Sequence, residues 1–186
     1  MIRMKKLLKN LLTCLIIINI ISCNKYIDTI KSTDNLPVSQ GYLNLYSDSN
    51  VLIYNNNMGL TSDNEIIYPK KFKVKLPKGL LFYEYIGSED FIFYYKKKQT
   101  VFIKIDLINT INKPDSVYYP TNSEMSDFIQ SKLTLGSQKW DIKNISIIPL
   151  RKNLFIKKGA ATILLYNIEE KNYNFFVNYI NEFKFL

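Results

Sequence analysis

Carboxylates are the side chains of this sequence best placed to do chemistry, because the chain contains no histidine. General acid or base work near neutral pH most often uses imidazole, and catalytic zinc usually takes at least one. Histidine-dependent serine hydrolases and the usual zinc hydrolases are thereby excluded. No glycine-rich phosphate loop or dinucleotide fingerprint occurs, so no nucleotide cofactor is expected. Paired-acid chemistry of the glycoside hydrolase kind is left, with two carboxyls about 5 to 9.5 Å apart and one kept protonated. Glu84 is the leading candidate, since it interrupts a strand face carrying Leu80, Phe82 and Ile86. A carboxylate on a half-buried sheet face can have its pKa raised by desolvation. The plainer reading is an acid near a strand end, in water or paired with a lysine. Asp90 and Asp106 have no better claim, no second acid stands out, and no catalytic set emerges.

Lysines offer a second chemistry, the binding of anions. Lys71, Lys73 and Lys75 alternate with Phe72, Val74 and Leu76, and period-two alternation puts the lysines on one strand face. They read either as an anion-binding stripe for phosphate-bearing envelope polymers or an acidic partner, or as a solvated face or a pairing-resistant edge. The solvated face is the simpler account. Lys96, Lys97 and Lys98 stand between two apolar runs and read as a hairpin tip, solubilising rather than recognising.

The third chemistry is that of Cys23. Arg3, Lys5, Lys6 and Lys9 form a positive start, followed by an apolar run from Leu11 to Ile21 broken only by Thr13, Cys14 and Asn19. A membrane-spanning helix needs roughly 20 apolar residues, so this run reads as an export signal. Ile20, Ile21, Ser22 and Cys23 resemble the lipobox of bacterial lipoproteins, with Ile20 where leucine is commonest. The resemblance implies a diacylglycerol on the Cys23 sulfur, cleavage between Ser22 and Cys23, and acylation of the new amino terminus. Each buried acyl methylene contributes about 0.8 kcal/mol, so two or three chains hold far more firmly than one. An ordinary secretory signal or an uncleaved short anchor are the other readings.

On the lipoprotein reading, residues 1–22 are removed, 23–40 form a lipidated polar tether, flexible by composition, and 41–186 form a single domain. Cys14 leaves with the signal and Cys23 is consumed by lipid. Free thiols, thiolate metal sites and disulfides are then excluded. A body of this size can bury a core without such staples. Loss of the four basic residues of the signal lowers the formal charge from +9 to about +5, short of the dense cationic face that nucleic acid requires. Asn24 follows the cysteine; in lipoproteins sorted by that position, aspartate favours inner-membrane retention, so the resemblance implies the outer membrane.

Positioning elements follow from periodicity. Tyr42 to Tyr46 and Val51 to Tyr54 flank turn-prone residues and predict a hairpin. Leu80 to Ile86, Phe91 to Tyr95 and Val101 to Leu107 predict an antiparallel meander with one face on a core. Thr121 and Glu124 match a capping box, and Met125, Phe128, Ile129 and Leu133 at helical spacing predict a short helix ending before Gly136. Ile145 to Leu150 reads as a strand with Pro149 near its end, and Leu154 to Ile156 with Ala161 to Ile168 as another hairpin. Glu169 and Glu170 favour a helix start, with Phe176, Tyr179, Ile180 and Phe183 on its inner face.

The expected class is α+β: a mostly antiparallel β-sheet of about six or seven strands, with a short central helix and a C-terminal helix packed on one face. The expected function is that of a lipid-anchored cell-envelope protein. It would act as a non-enzymatic module binding an envelope protein or polysaccharide, or as an immunity or accessory protein. A carboxylate-dependent hydrolase of envelope glycans is the alternative.

Overall fold

The structure is a computed structural model describing residues 42–46, 49–62, 65–86, 89–107, 114–133 and 148–186. The expected export signal, Cys23 and the expected tether lie outside the described residues. Among the described residues, twelve strands form three antiparallel sheets, and two α-helices complete an α+β architecture. A four-stranded sheet has the order β1 (Leu43–Tyr46), β2 (Val51–Tyr54), β5 (Phe72–Lys75) and β12 (Lys184–Phe185). A six-stranded sheet runs β6 (Leu80–Ile86), β7 (Asp90–Tyr95), β8 (Thr100–Ile105), β11 (Ala161–Glu169), β10 (Arg151–Lys158) and β9 (Ser116–Tyr118). β3 (Leu60–Ser62) and β4 (Glu65–Ile67) pair only with each other. The helices are α1 (Asn122–Leu133) and α2 (Glu170–Ile180).

The expected β1–β2 hairpin, the β6–β7–β8 meander and the β10–β11 hairpin all form. Alternation along β5 turns Phe72 and Val74 fully inward, while the lysines stay partly exposed. β5 is paired on both sides, so its lysines line an outer face and not an edge. Thr121 caps α1 as the sequence requires: Glu124 Oε2 accepts from the Thr121 N–H at 2.8 Å, and Thr121 Oγ1 accepts from the Glu124 N–H at 3.3 Å.

Two apolar layers flank the six-stranded sheet. On one face Phe91, Phe93, Val101, Ile103, Ile163 and Leu165 meet Leu52, Tyr54, Phe72 and Val74 of the smaller sheet, together with Phe176 and Ile180 of α2. On the other face Ile92, Phe102, Phe155 and Leu164 meet Met125 and Ile129 of α1. The helices therefore sit on opposite sides of the sheet instead of sharing one. The cause is that central strands such as β7 and β8 are apolar at successive positions, and a sheet apolar on both faces needs cover on both.

Two further expectations change. Ile148 to Leu150 form a turn and not a strand; the strand begins at Arg151, and residues 145–147 lie outside the described set. Phe183 lies beyond α2, where Lys184 and Phe185 pair with Lys73 and Phe72 to close the four-stranded sheet. The root of the β3–β4 hairpin is held from within. Tyr54 Oη and Tyr85 Oη lie 2.9 Å apart, Asn56 Nδ2 donates to Tyr54 Oη at 3.2 Å, and the Met58 N–H donates to Asn56 Oδ1 at 2.8 Å. Gly59 is required by close approach, since a Cβ there would stand 2.3 Å from Ile66 Cγ2.

Candidate interaction surface at a lysine turn

Register decides the fate of the carboxylates. Glu84 is buried on β6 and accepts a hydrogen bond from Tyr94 Oη at 2.6 Å. A register shift after Leu80 sends that residue into the opposite layer, beside Tyr83 and Tyr85, so Leu80 does not share the face of Glu84. Asp90, also buried, stands opposite Ile86 on β6 and Lys104 on β8. Glu84 and Asp90 therefore occupy one sheet face as diagonal neighbours, roughly 7–8 Å apart at Cα. Asp106 follows β8, and its N–H donates to the Ala160 carbonyl at 2.9 Å. Sequence spacing alone does not find the pairing of Glu84 with Asp90, because it depends on the β6–β7 register.

The turn of Lys96, Lys97 and Lys98 between β7 and β8 is a tightly held surface feature. All three side chains are exposed, yet the backbone beneath them is held on every side. Lys97 and Lys98 adopt left-handed backbone angles, with φ of 59° and 58°, a conformation that costs an L-residue roughly 1–2 kcal/mol. Tight two-residue hairpin turns of this kind normally use Asn and Gly. Lysines survive here because Asn167 of β11, with Gln99 and Thr100 from the turn's own C-terminal flank, seizes the turn carbonyls. Asn167 Nδ2 donates to the carbonyls of Lys98 at 3.0 Å and Lys97 at 3.3 Å. Gln99 Nε2 donates to the Lys96 carbonyl at 3.1 Å, and Thr100 Oγ1 to that of Lys98 at 3.4 Å.

These clamps are themselves clamped. Asn167 has a φ of 57°, its N–H donates to Asn153 Oδ1 at 2.7 Å, and its carbonyl accepts from Arg151 Nη1 at 3.3 Å. Gln99 Oε1 accepts from the Glu169 N–H at 3.0 Å and from Asn172 Nδ2 at 3.1 Å, tying the turn to the start of α2. Glu169 Oε1 lies 2.8 Å from Lys97 Nζ and 3.8 Å from Arg151 Nη2. Bonding to Lys97 and the charges of Lys97, Lys171 and Arg151 hold the Glu169 carboxyl below its usual range. With Lys97 engaged by Glu169, Lys96 and Lys98 are the cations presented outward. A rigid backbone carrying exposed cations can recognise carboxylate or phosphate groups without ordering itself on contact, and persistent backbone strain is characteristic of such sites. The lysine cluster was legible in the sequence; its scaffold was not, because Asn153, Asn167 and Gln99 lie far apart along the chain and carry no motif.

Comparison with protein-family models, with curated proteins and with solved structures finds no match.

Proposed function

We propose that this chain is a lipid-anchored cell-envelope protein that works as a non-enzymatic binding module, holding an acidic envelope protein or polysaccharide at the Lys96–Lys98 turn. The observation that carries the reading is the clamped turn, in which buried Asn167 and Gln99 hold two left-handed lysines in one shape. The anchor is the acylated Cys23 after cleavage at Ser22, and Asn24 directs it to the outer membrane. An immunity or accessory protein for an exported toxin or assembly is a narrower form of the same reading. Nucleic acid is not the partner, since the charge surplus is modest.

Crosslinking pull-down of the membrane-anchored protein from intact cells tests this. The wild-type chain should capture one partner with acidic surface chemistry, Lys96→Glu with Lys98→Glu should lose it, and Cys23→Ala should release the protein from membranes. Retention of the same partner by the charge-reversed turn would refute the reading.

The same-face pairing of Glu84 and Asp90 favours a second reading, a carboxylate-dependent hydrolase of envelope glycans. It requires turnover of cell-wall or capsular sugars that both Glu84→Gln and Asp90→Asn abolish. A protein inactive across a broad glycan panel eliminates it.

A further inference from the structure

Two separate features converge where the chain from Cys23 joins the body. The Asn55 N–H donates to the Tyr42 carbonyl at 2.7 Å, and the Leu186 N–H to the Lys71 carbonyl at 3.0 Å, so these four residues mark one end of the four-stranded sheet. The β3–β4 hairpin grows from the β2–β5 connection at that same end, and it exposes Met58, Ile66 and Tyr68 by 58%, 63% and 64%. The outer face of the sheet is cationic along β5 and β12, while Asn44, Tyr46, Val51 and Ile53 continue it on β1 and β2. Lys73 stands opposite Lys184, and Lys71 shares the parity of Lys73, while Phe72 and Val74 on the opposite parity point inward. Lys75 is already engaged, with Glu182 at 3.1 Å and the Tyr179 ring at 5.0 Å.

The Lys96–Lys98 turn lies at the other pole. Phe185 packs near Gly159, where a Cβ would meet its ring at 3.7 Å, and Gly159 turns the chain at the end of β11 remote from Asn167. Residues 24–41 separate Cys23 from the body, which has a radius of gyration of about 15 Å, and they join it at Tyr42. An acyl group at Cys23 would thus keep this end, and not the lysine turn, close to the headgroups.

We infer that this end of the four-stranded sheet seats against an anionic bilayer surface, with Lys71, Lys73 and Lys184 at the headgroups and Met58, Ile66 and Tyr68 entering the interface. The inference rests on the lipid-anchor reading of Cys23. Two or three acyl chains at Cys23 hold the protein to the bilayer without help, so the basic patch sets orientation instead of attachment, and tyrosine is at home at the membrane interface. Each lysine near an anionic surface biases the orientation by roughly fivefold. The seating leaves the lysine turn facing away from the membrane, accessible to a partner.

The test uses the full chain as processed in cells that export it, placed in vesicles of phosphatidylcholine, with and without phosphatidylglycerol, labelled by a membrane-impermeant amine acetylating reagent and read lysine by lysine by mass spectrometry. Lys71, Lys73 and Lys184 should react about fivefold or more slowly on the anionic vesicles, with Lys96 and Lys98 unchanged. The protection should vanish in concentrated salt, where the Debye length falls to a few Å, about 3 Å at 1 M. Equal rates on the two vesicles, protection that salt does not remove, or protection of Lys96 and Lys98 instead, would overturn the seating. The mass of the Cys23 peptide is read in the same experiment. An acylated Cys23 with equal rates refutes the seating alone, whereas an unacylated Cys23 refutes the anchor and the seating together.

Discussion

Lys98→Gly should stabilise the protein, and Lys96→Gly, two residues earlier in the same turn, should destabilise it. Lys98 sits at φ 58°, where an L-residue loses roughly 1–2 kcal/mol to contact between Cβ and the following carbonyl. Glycine removes that contact but adds backbone freedom to the unfolded chain, taking back about 0.5–1 kcal/mol. The net gain is about 0.5–1 kcal/mol. Lys96 is not among the left-handed residues, so glycine there brings only the entropic loss, about 0.5–1 kcal/mol. The exposed side chains of both residues add little to this balance. The two variants should therefore differ by about 1–2 kcal/mol with opposite signs, or roughly 2–8 °C in melting temperature for a body of this size. Thermal and urea unfolding followed by circular dichroism provide the assay. If the two substitutions shift stability in the same direction, the strained-turn account is wrong. The proposed function adds a second readout: Lys98→Gly removes one presented cation, so partner capture should weaken while stability rises.

Asn167→Ala should destabilise by about 2–4 kcal/mol, since it loses two hydrogen bonds to the turn and leaves alanine in a left-handed conformation; Asn167→Gly, which relieves the backbone but not the lost bonds, should cost less in the same unfolding assay. Thr121→Ala should cost about 1 kcal/mol through the broken capping box, with urea unfolding as the check. Acid should weaken the lysine-turn scaffold. The folded-state Glu169 carboxyl titrates below its ordinary value of 4.5, so its contribution is complete above that value and disappears as pH falls through the lower folded value. Glu169→Gln should flatten the loss of stability below pH 4.5, and an unchanged acid limb would count against the pairing with Lys97 and Arg151. Tyr54→Phe should cost about 1–3 kcal/mol, because Asn56 and Tyr85 lose a shared buried partner, and should hasten proteolysis of the β3–β4 hairpin.

Much of the fold was readable from period and punctuation. The β1–β2 and β10–β11 hairpins, the β6–β7–β8 meander and both helices rest on local alternation, turn residues and capping chemistry, which act over a few residues at a time. What stayed hidden was any feature joining distant segments. β12 is too short to announce itself and exists because Phe72 and Lys73 present an open edge to Lys184 and Phe185. The buried layer beneath α1 was missed because Ile92, Phe102 and Leu164 come from separate strands, and only their register assembles them into one face. Pro149 and Leu150 broke the expected strand because Leu150 turns left-handed, with a φ of 61°, just before β10 begins.

The candidate sites divide in the same way. The lipobox resemblance of Ile20 to Cys23, the histidine-free and nearly thiol-free composition, the lysine stripe and the lysine cluster are matters of residue type and short spacing, readable from the sequence by itself. Tertiary structure decided which lysines are engaged and which are presented, by bringing Glu169 to Lys97 and Glu182 to Lys75. It also decided that Asn153, Asn167 and Gln99 form one scaffold beneath the turn, and that Glu84 and Asp90 share a face. The reason is geometric. A cross-strand neighbour lies about 5 Å away in space however many residues separate it along the chain, and only the folded register converts residue identity into proximity.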